Sequence, residues 1–235
     1  MILNPDTNRS FLYGDGFFET FKLIDGKCER FGLHYKRILQ SVAVLQMEWN
    51  KEWTQRFFEQ KLEEESKKFE ETILKVRMIF YRDSKGTYTP ISDTCNYYIK
   101  FEPYISLNKS ILTAGVYLLL KKPVNFLSPL KTTSSLLFVM AAKYAKEKGW
   151  DEVIILNEHG RVCEALTSNI FIKKDTVFYT PPLSEGCIDG VNRKAFLMEN
   201  KNIIEKQIEV EELINHQIYF SNAVRGMIEG ELISE

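Results

Sequence analysis

The chain has 235 residues, 44% of them hydrophobic, enough for a sizeable core in one large domain or two small ones. Its 31 basic and 32 acidic residues are interspersed and give a formal net charge of −1, which argues against nucleic acid and anionic membranes as partners. No apolar run approaches a membrane span, "MILNPDTNRS" lacks the marks of a secretion signal, and Cys28, Cys95, Cys163 and Cys187 are scattered, so a cytoplasmic protein without disulfide framework or metal site is expected.

In chain order, "FLYGDGFFETFKLIDGKCE" (11–29) reads as a strand, an Asp25-Gly26 turn and a returning strand. "GLHYKRILQSVAVLQM" repeats Leu33, Ile38, Val42 and Leu45 near helical spacing, with Lys36 and Arg37 between the apolar rows. A second helix is predicted through "KEWTQRFFEQKLEEESKKFEE", whose mixed Glu and Lys make a solvated face. Residues 73–82, "ILKVRMIFYR", alternate as an antiparallel strand with one covered face, and "NYYIKFEPY" and "AGVYLLL" read as further strands. "KKPVNFLSP", with its two prolines, is the expected connector and sets a boundary near residue 124, dividing a small N-terminal α/β domain (1–123) from a second domain (124–235). The second half reads as a helix over 133–148, strands "EVIILN", "NIFIKK" and "TVFYTP", a helix "NRKAFLMEN" and a strand "QIYFS". Hairpins without regular βαβ alternation predict an α+β fold and disfavour a Rossmann sheet.

Three features carry chemistry. Lys131 stands ahead of "TTSSLLFVM", which reads as a helix start; the positive end of a helix disfavours an ammonium and would make the lysine a better nucleophile. Glu164, framed by apolar residues in "GRVCEALTSNIF", needs a cationic or N–H partner; taken alone it reads first as a structural ion pair, and Asn169 as a turn former. In "SEGCIDGVNRKAFL", Gly186 and Gly190 bracket a loop feeding a helix that begins near Val191 or Asn192, an arrangement suited to phosphate. The polar turn "FSNAVRG", with Ser221 and Asn222, follows the last predicted strand. Amine, buried acid and anion-binding helix start together suit pyridoxal 5'-phosphate. P-loop, G-x-G-x-x-G, H-E-x-x-H and Gly-x-Ser-x-Gly signatures are absent.

The series "LKTTSS", "GWDEVIILNEHGRVCEALTSNIF" and "YTPPLSEGCIDGVNRKAF" resembles the core signature of the class IV aminotransferases, the fold type IV pyridoxal phosphate enzymes, and "YGDGFFET" and "LHYKRILQSV" are similar to that family's opening segments. The family includes branched-chain and D-amino-acid transaminases and 4-amino-4-deoxychorismate lyase. The resemblance implies a two-domain α+β fold and a homodimer acting on a small-molecule amine. It implies Lys131 as the residue joined to the cofactor aldehyde and moving the proton, Glu164 as partner of the pyridine nitrogen, Arg37 as a grip on the phosphate, and Val191 and Asn192 as backbone donors to it. Asn169 and Asn222 are expected to line the same cofactor site. The closing "IYFSNAVRGM" is similar to the lyase version of that turn, so a lyase is the expectation and a transaminase the alternative.

Overall fold

The computed structural model describes residues 4–233, so the first three residues of the opening segment lie outside it. The chain forms two units, one from the described residues up to Ile105 together with Leu130–Ser135, the other from Ser106–Pro129 together with the described residues from Leu136 onward.

The first unit contains α1 (Arg9–Tyr13), β1 (Gly16–Ile24), α2 (Phe31–Val44), α3 (Gln55–Ser66), β2 (Ile73–Arg82) and β3 (Cys95–Pro103). The three strands form an antiparallel sheet in the order β1-β2-β3. Alternation in β1 turns Phe17, Phe21 and Leu23 to one face, opposite Phe80, Val76 and Leu74 of β2, and all six are buried. Ile38 of α2 and Phe58 and Leu62 of α3 are buried too, and the Phe58 ring lies 5.9 Å from that of Phe80. Each such side chain contributes about 1.5–3 kcal/mol on burial. The helix α3 is held at its start by Thr54, whose hydroxyl accepts the Phe57 N–H at 3.2 Å.

The expected returning strand after Asp25-Gly26 does not form. Both residues take left-handed backbone angles (φ 49° and 76°), and a single bridge joins Ile24 to Lys27 before α2 begins. Only Cys28, Glu29 and Arg30 separate that bridge from the helix, too few to match nine residues of β1, which pairs along its whole length with β2 instead.

The second unit contains β4 (Ile111–Lys122), α4 (Leu136–Lys148), β5 (Glu152–Asn157), β6 (Val162–Ala165), β7 (Asn169–Lys174), β8 (Val177–Thr180), α5 (Val191–Glu199), β9 (Ile203–Glu205), β10 (Gln217–Asn222) and β11 (Gly226–Leu232). Its mixed sheet runs β6-β5-β4-β11-β10-β7-β8-β9, with β4 parallel to both β5 and β11. The Ala165 N–H donates to the Ser168 carbonyl at 2.8 Å across the turn from β6 to β7, so the sheet curls until its first strand reaches its sixth. Strand β5 is buried on both faces: Ile154 and Leu156 meet Leu112, Ile170 and Phe220, whereas Val153 and Ile155 meet Ala141 and Ala145 of α4. The strand β11 and the short β6 and β9 were not expected; β11 breaks apolar alternation with Glu229, Gly230 and Glu231, and the other two are only four and three residues long. The expected boundary near residue 124 falls inside this unit, because β4 pairs with β5 and β11.

Candidate cofactor site

Residues 130–135 belong to the first unit, where they run against the start of β1. The Phe18 N–H donates to the Lys131 carbonyl at 2.9 Å, the Thr133 N–H to Gly16 at 2.9 Å, and the Thr133 hydroxyl to the Gly14 carbonyl at 3.0 Å. These bonds hold 131–133 extended, so α4 opens at Leu136 and not at 133. Lys131 therefore stands outside the first turn, and the helix-end argument for its nucleophilicity is not borne out. Its Nζ lies 4.7 Å from the centre of the Phe18 ring, and the guanidinium carbon of exposed Arg77 lies 4.0 Å from the same ring.

Arg37, on α2, is buried and bidentate to Glu19 of β1, with Nε 2.7 Å from Oε1 and Nη2 2.6 Å from Oε2. His34, one turn earlier, places Nδ1 2.6 Å from the same Oε2; since a carboxylate accepts, Nδ1 is the protonated nitrogen. Burial alone would raise the Glu19 carboxyl, but the Arg37 guanidinium and the His34 ring reverse this and bring it down to about 2. Burial pushes His34 below its ordinary value, against the pull of Glu19, so the ring is neutral. Glu19 was not singled out from sequence. Its alternation with Phe17 and Phe21 was the available signal, because that spacing sets a carboxylate on the apolar face of β1, where it requires a cation.

In the second unit, Glu164 lies on β6 opposite Ile155 and is buried. Its Oε1 accepts from the ammonium of Lys122, at the end of β4, and its Oε2 accepts the Ile188 N–H at 3.1 Å. The Ile188 carbonyl in turn accepts from Asn169 Nδ2 at 2.9 Å. Asn169 fills the space left by Gly190: a Cβ there would lie 1.8 Å from Asn169 Oδ1. Gly190 caps α5, which begins at Val191, and the Lys194 N–H to the Gly190 carbonyl (2.9 Å) is the first intrahelical bond. The amides of Val191 and Asn192 lie ahead of that bond, where a helix accommodates an anion.

The Asn192 side chain donates to the Asn222 carbonyl at 2.6 Å, which ties the start of α5 to the end of β10. Asn222 orders its own turn, its Oδ1 accepting the N–H groups of Val224 (3.0 Å) and Arg225 (2.8 Å). Its Nδ2 reaches the Thr167 carbonyl at 3.2 Å, joining this turn to the one between β6 and β7. Buried Glu152 clamps both turns, accepting from Arg225 Nη2 at 2.8 Å and from the Thr167 N–H at 2.9 Å. Next to Asn222, the Ser221 hydroxyl is buried without a hydrogen-bond partner among the described residues.

The sequence-predicted residues thus divide by unit. Lys131 and Arg37 lie in the first; Glu164, Asn169, Val191, Asn192 and Asn222 lie in the second, linked through Ile188, Gly190 and the two polar turns. The second-unit set fits a phosphorylated pyridine: a buried carboxylate for the ring nitrogen, helix-start amides for the phosphate, and a buried hydroxyl whose hydrogen-bonding capacity is unmet. Lys122 was missed because a lysine pair ahead of a proline carries no sign of burial.

A family model for amino-transferase class IV matches residues 16–233. An aminodeoxychorismate lyase of Bacillus subtilis is 28% identical over 260 residues, which span 100% of this chain and 82% of that protein. A "Probable branched-chain-amino-acid aminotransferase" of Rickettsia bellii is 30% identical over 100 residues, 40% of this chain and 34% of that relative's length. The crystal structure of branched-chain aminotransferase from Thermoproteus uzoniensis with norvaline superposes with a TM-score of 0.86 at 23% identity, over 98% of this chain and 82% of that one, which establishes the α+β fold of type IV. With nearly its whole length matched, the chain belongs to the class IV aminotransferases, a family of pyridoxal phosphate-dependent enzymes.

Proposed function

We propose that this enzyme is a 4-amino-4-deoxychorismate lyase, releasing pyruvate and 4-aminobenzoate for folate biosynthesis, and that it acts as a cytoplasmic homodimer. The observation that carries the reading is the end-to-end match with the Bacillus subtilis lyase, which takes in every element of both units. Pyridoxal phosphate, when bound, supplies the electron sink that lets the C–H bond beside the substrate nitrogen ionise. Lys131 would hold the cofactor through its aldehyde, and its Nζ, freed when the substrate amine takes that place, would accept the proton. Glu164 takes the pyridine nitrogen, while Arg37 and the amides of Val191 and Asn192 take the phosphate. Asn169 and Asn222 hold the loops that present those amides. Arg77, against the same Phe18 ring as Lys131, supports an acidic substrate. Exposed Leu118, Leu119 and Leu120 on β4 and Leu136, Val139 and Met140 on α4 support pairing with a second copy.

Transamination is the second reading, favoured by the Rickettsia bellii relative. The two are separated by giving the loaded enzyme aminodeoxychorismate in one assay, and branched-chain or D-amino acids in another. The lyase is expected to give sustained pyruvate and 4-aminobenzoate with its yellow colour retained, and borohydride is expected to fix the cofactor on the peptide carrying Lys131. Rapid bleaching by an amino acid, reversed by 2-oxoglutarate or pyruvate and without 4-aminobenzoate from aminodeoxychorismate, would establish the transaminase instead. Fixation on another lysine would remove Lys131 from its role.

A further inference from the structure

The partner of Glu164 is itself unusual. Lys122 is only 8% exposed, yet its side chain turns inward from the end of β4. Its Nζ donates to Glu164 and to the Ser128 carbonyl at 3.2 Å, and it lies 5.6 Å from the centre of the Phe138 ring on α4. The cation is thus fixed by a carboxylate, a carbonyl and an aromatic face from three further segments of the unit. The other titratable groups acting on it, Cys163 and Cys187, are buried thiols pushed upward by burial, Cys187 to about 12, so both are neutral and leave Glu164 as its counter-charge. Burial alone would lower the Lys122 ammonium; the Glu164 carboxylate more than reverses that, and Lys122 stays charged.

We infer that Lys122 is a positioning residue that keeps the Glu164 carboxylate aimed, and that it shares this carboxylate with the cofactor's pyridine nitrogen. The inference rests on the proposed role of Glu164. Its Oε1 is bound to Lys122 and its Oε2 to the Ile188 N–H, which fixes the carboxylate plane against β6 and the loop ahead of α5. Each carboxylate oxygen accepts more than one hydrogen bond, so a ring N–H can be added to this set. A second cation on the same carboxylate weakens the hold on that proton, because the negative charge is divided. Lys122 therefore has two opposed effects. It secures the carboxylate in the cofactor-free protein, and it moderates how firmly the ring nitrogen is protonated once the cofactor is bound.

The test compares Lys122→Met, Lys122→Arg and Glu164→Gln, each loaded with pyridoxal phosphate, by following the visible absorption band as a function of pH. Without Lys122 the undivided carboxylate holds the ring proton more firmly, and a more fully protonated ring withdraws more electron density from the nitrogen linked to the cofactor aldehyde, which then loses its proton at lower pH. The Lys122→Met midpoint is expected to move down by about one pH unit, a ten-fold change in the proton equilibrium. Glu164→Gln is expected to move it up, and Lys122→Arg to stay near the parent. In the cofactor-free proteins, Lys122→Met is expected to melt earlier than the parent, with Lys122→Arg recovering most of the loss. A Lys122→Met midpoint equal to the parent's, while Glu164→Gln moves, would overturn the sharing of the carboxylate. A Glu164→Gln midpoint equal to the parent's would overturn the role of Glu164 itself. If Lys122→Met does not fold, the decision passes to Lys122→Arg and the double variant Lys122→Met/Glu164→Gln. A double variant that folds and titrates like Glu164→Gln would support the sharing, because Lys122 then acts only through that carboxylate. A double variant that departs from Glu164→Gln by as much as a full pH unit would overturn it.

Discussion

Gly190→Ala probes the contact that sets the start of α5. Gly190 has φ −67° and ψ 137°, angles open to any residue, so the substitution brings no backbone strain and acts through one methyl group. That methyl carbon would lie 1.8 Å from Asn169 Oδ1 and 3.0 Å from its Cγ. Asn169 is only 7% exposed, and its Nδ2 is committed to the Ile188 carbonyl at 2.9 Å, so the amide can yield only by leaving that carbonyl. Overpacking of this kind costs about 1–3 kcal/mol, and the lost hydrogen bond adds about 1 kcal/mol. The expected total is about 2–4 kcal/mol, read as a lower urea midpoint of the cofactor-free protein with the slope unchanged. Asn169→Ala removes the obstructing amide, so Gly190→Ala introduced on that background should cost far less than it does alone. The coupling in the double-mutant cycle is expected at about 1–3 kcal/mol. Costs that simply add, within about 0.5 kcal/mol, would show that the two residues do not share this space.

Glu19→Gln leaves buried Arg37 facing a neutral amide and is expected to cost about 3–5 kcal/mol. In the parent, Glu19 falls from 4.5 to about 2 on folding, so its stabilisation is complete above about pH 4.5 and is lost as pH falls toward 2; urea midpoints across this range should drop in the parent and flatten in the variant, and equal acid limbs in both would refute the assignment. Ser221→Ala removes a buried hydroxyl that has no partner among the described residues, so the cofactor-free protein should be as stable or about 1 kcal/mol more stable while pyridoxal phosphate binds several-fold more weakly. A clear loss of stability on urea unfolding, with binding by fluorescence titration unchanged, would contradict both halves of that expectation.

The parts of this fold legible in the sequence are those whose cause is local. The strand at 73–82 appears with the predicted bounds because period-two alternation runs from Ile73 to Phe80. The start of α5 at Val191 was legible because glycine marks it, and the helix at Phe31–Val44 because its apolar rows persist through four turns. Failures occur where a distant strand competes. The residues after Gly26 do not return along β1 because β2, some fifty residues later, takes the whole edge, and Thr132 and Thr133 do not enter α4 because β1 draws their backbone into pairing. The candidate site follows the same division. Glu164, Asn169 and the α5 start are segment features, whereas Glu19, Lys122 and Glu152 acquire their meaning only from partners that the chain brings in from elsewhere.

The buried carboxylates bear on why the site is polar at all. Glu19, Glu152 and Glu164 are each at most 3% exposed, and each is matched with a cation: Arg37, Arg225 and Lys122. Taking two charges out of water costs several kcal/mol per ion, and well-packed apolar residues of the same volume often serve stability as well or better. Stability alone thus gives weak reason for all three pairs. Their positions give a better one. Glu19 fixes the guanidinium of Arg37, Glu152 fixes the two turns that Asn222 joins, and Lys122 fixes Glu164, so each pair immobilises a group proposed to meet an anionic cofactor. A charged group already held in place loses little entropy when its ligand arrives, and it needs no solvent to rearrange around it. On this argument the stability given up in burying the three pairs is recovered as affinity for the cofactor, and the largest thermal shift on loading should be found in this enzyme's parent form, with smaller shifts wherever one of the carboxylates is neutralised.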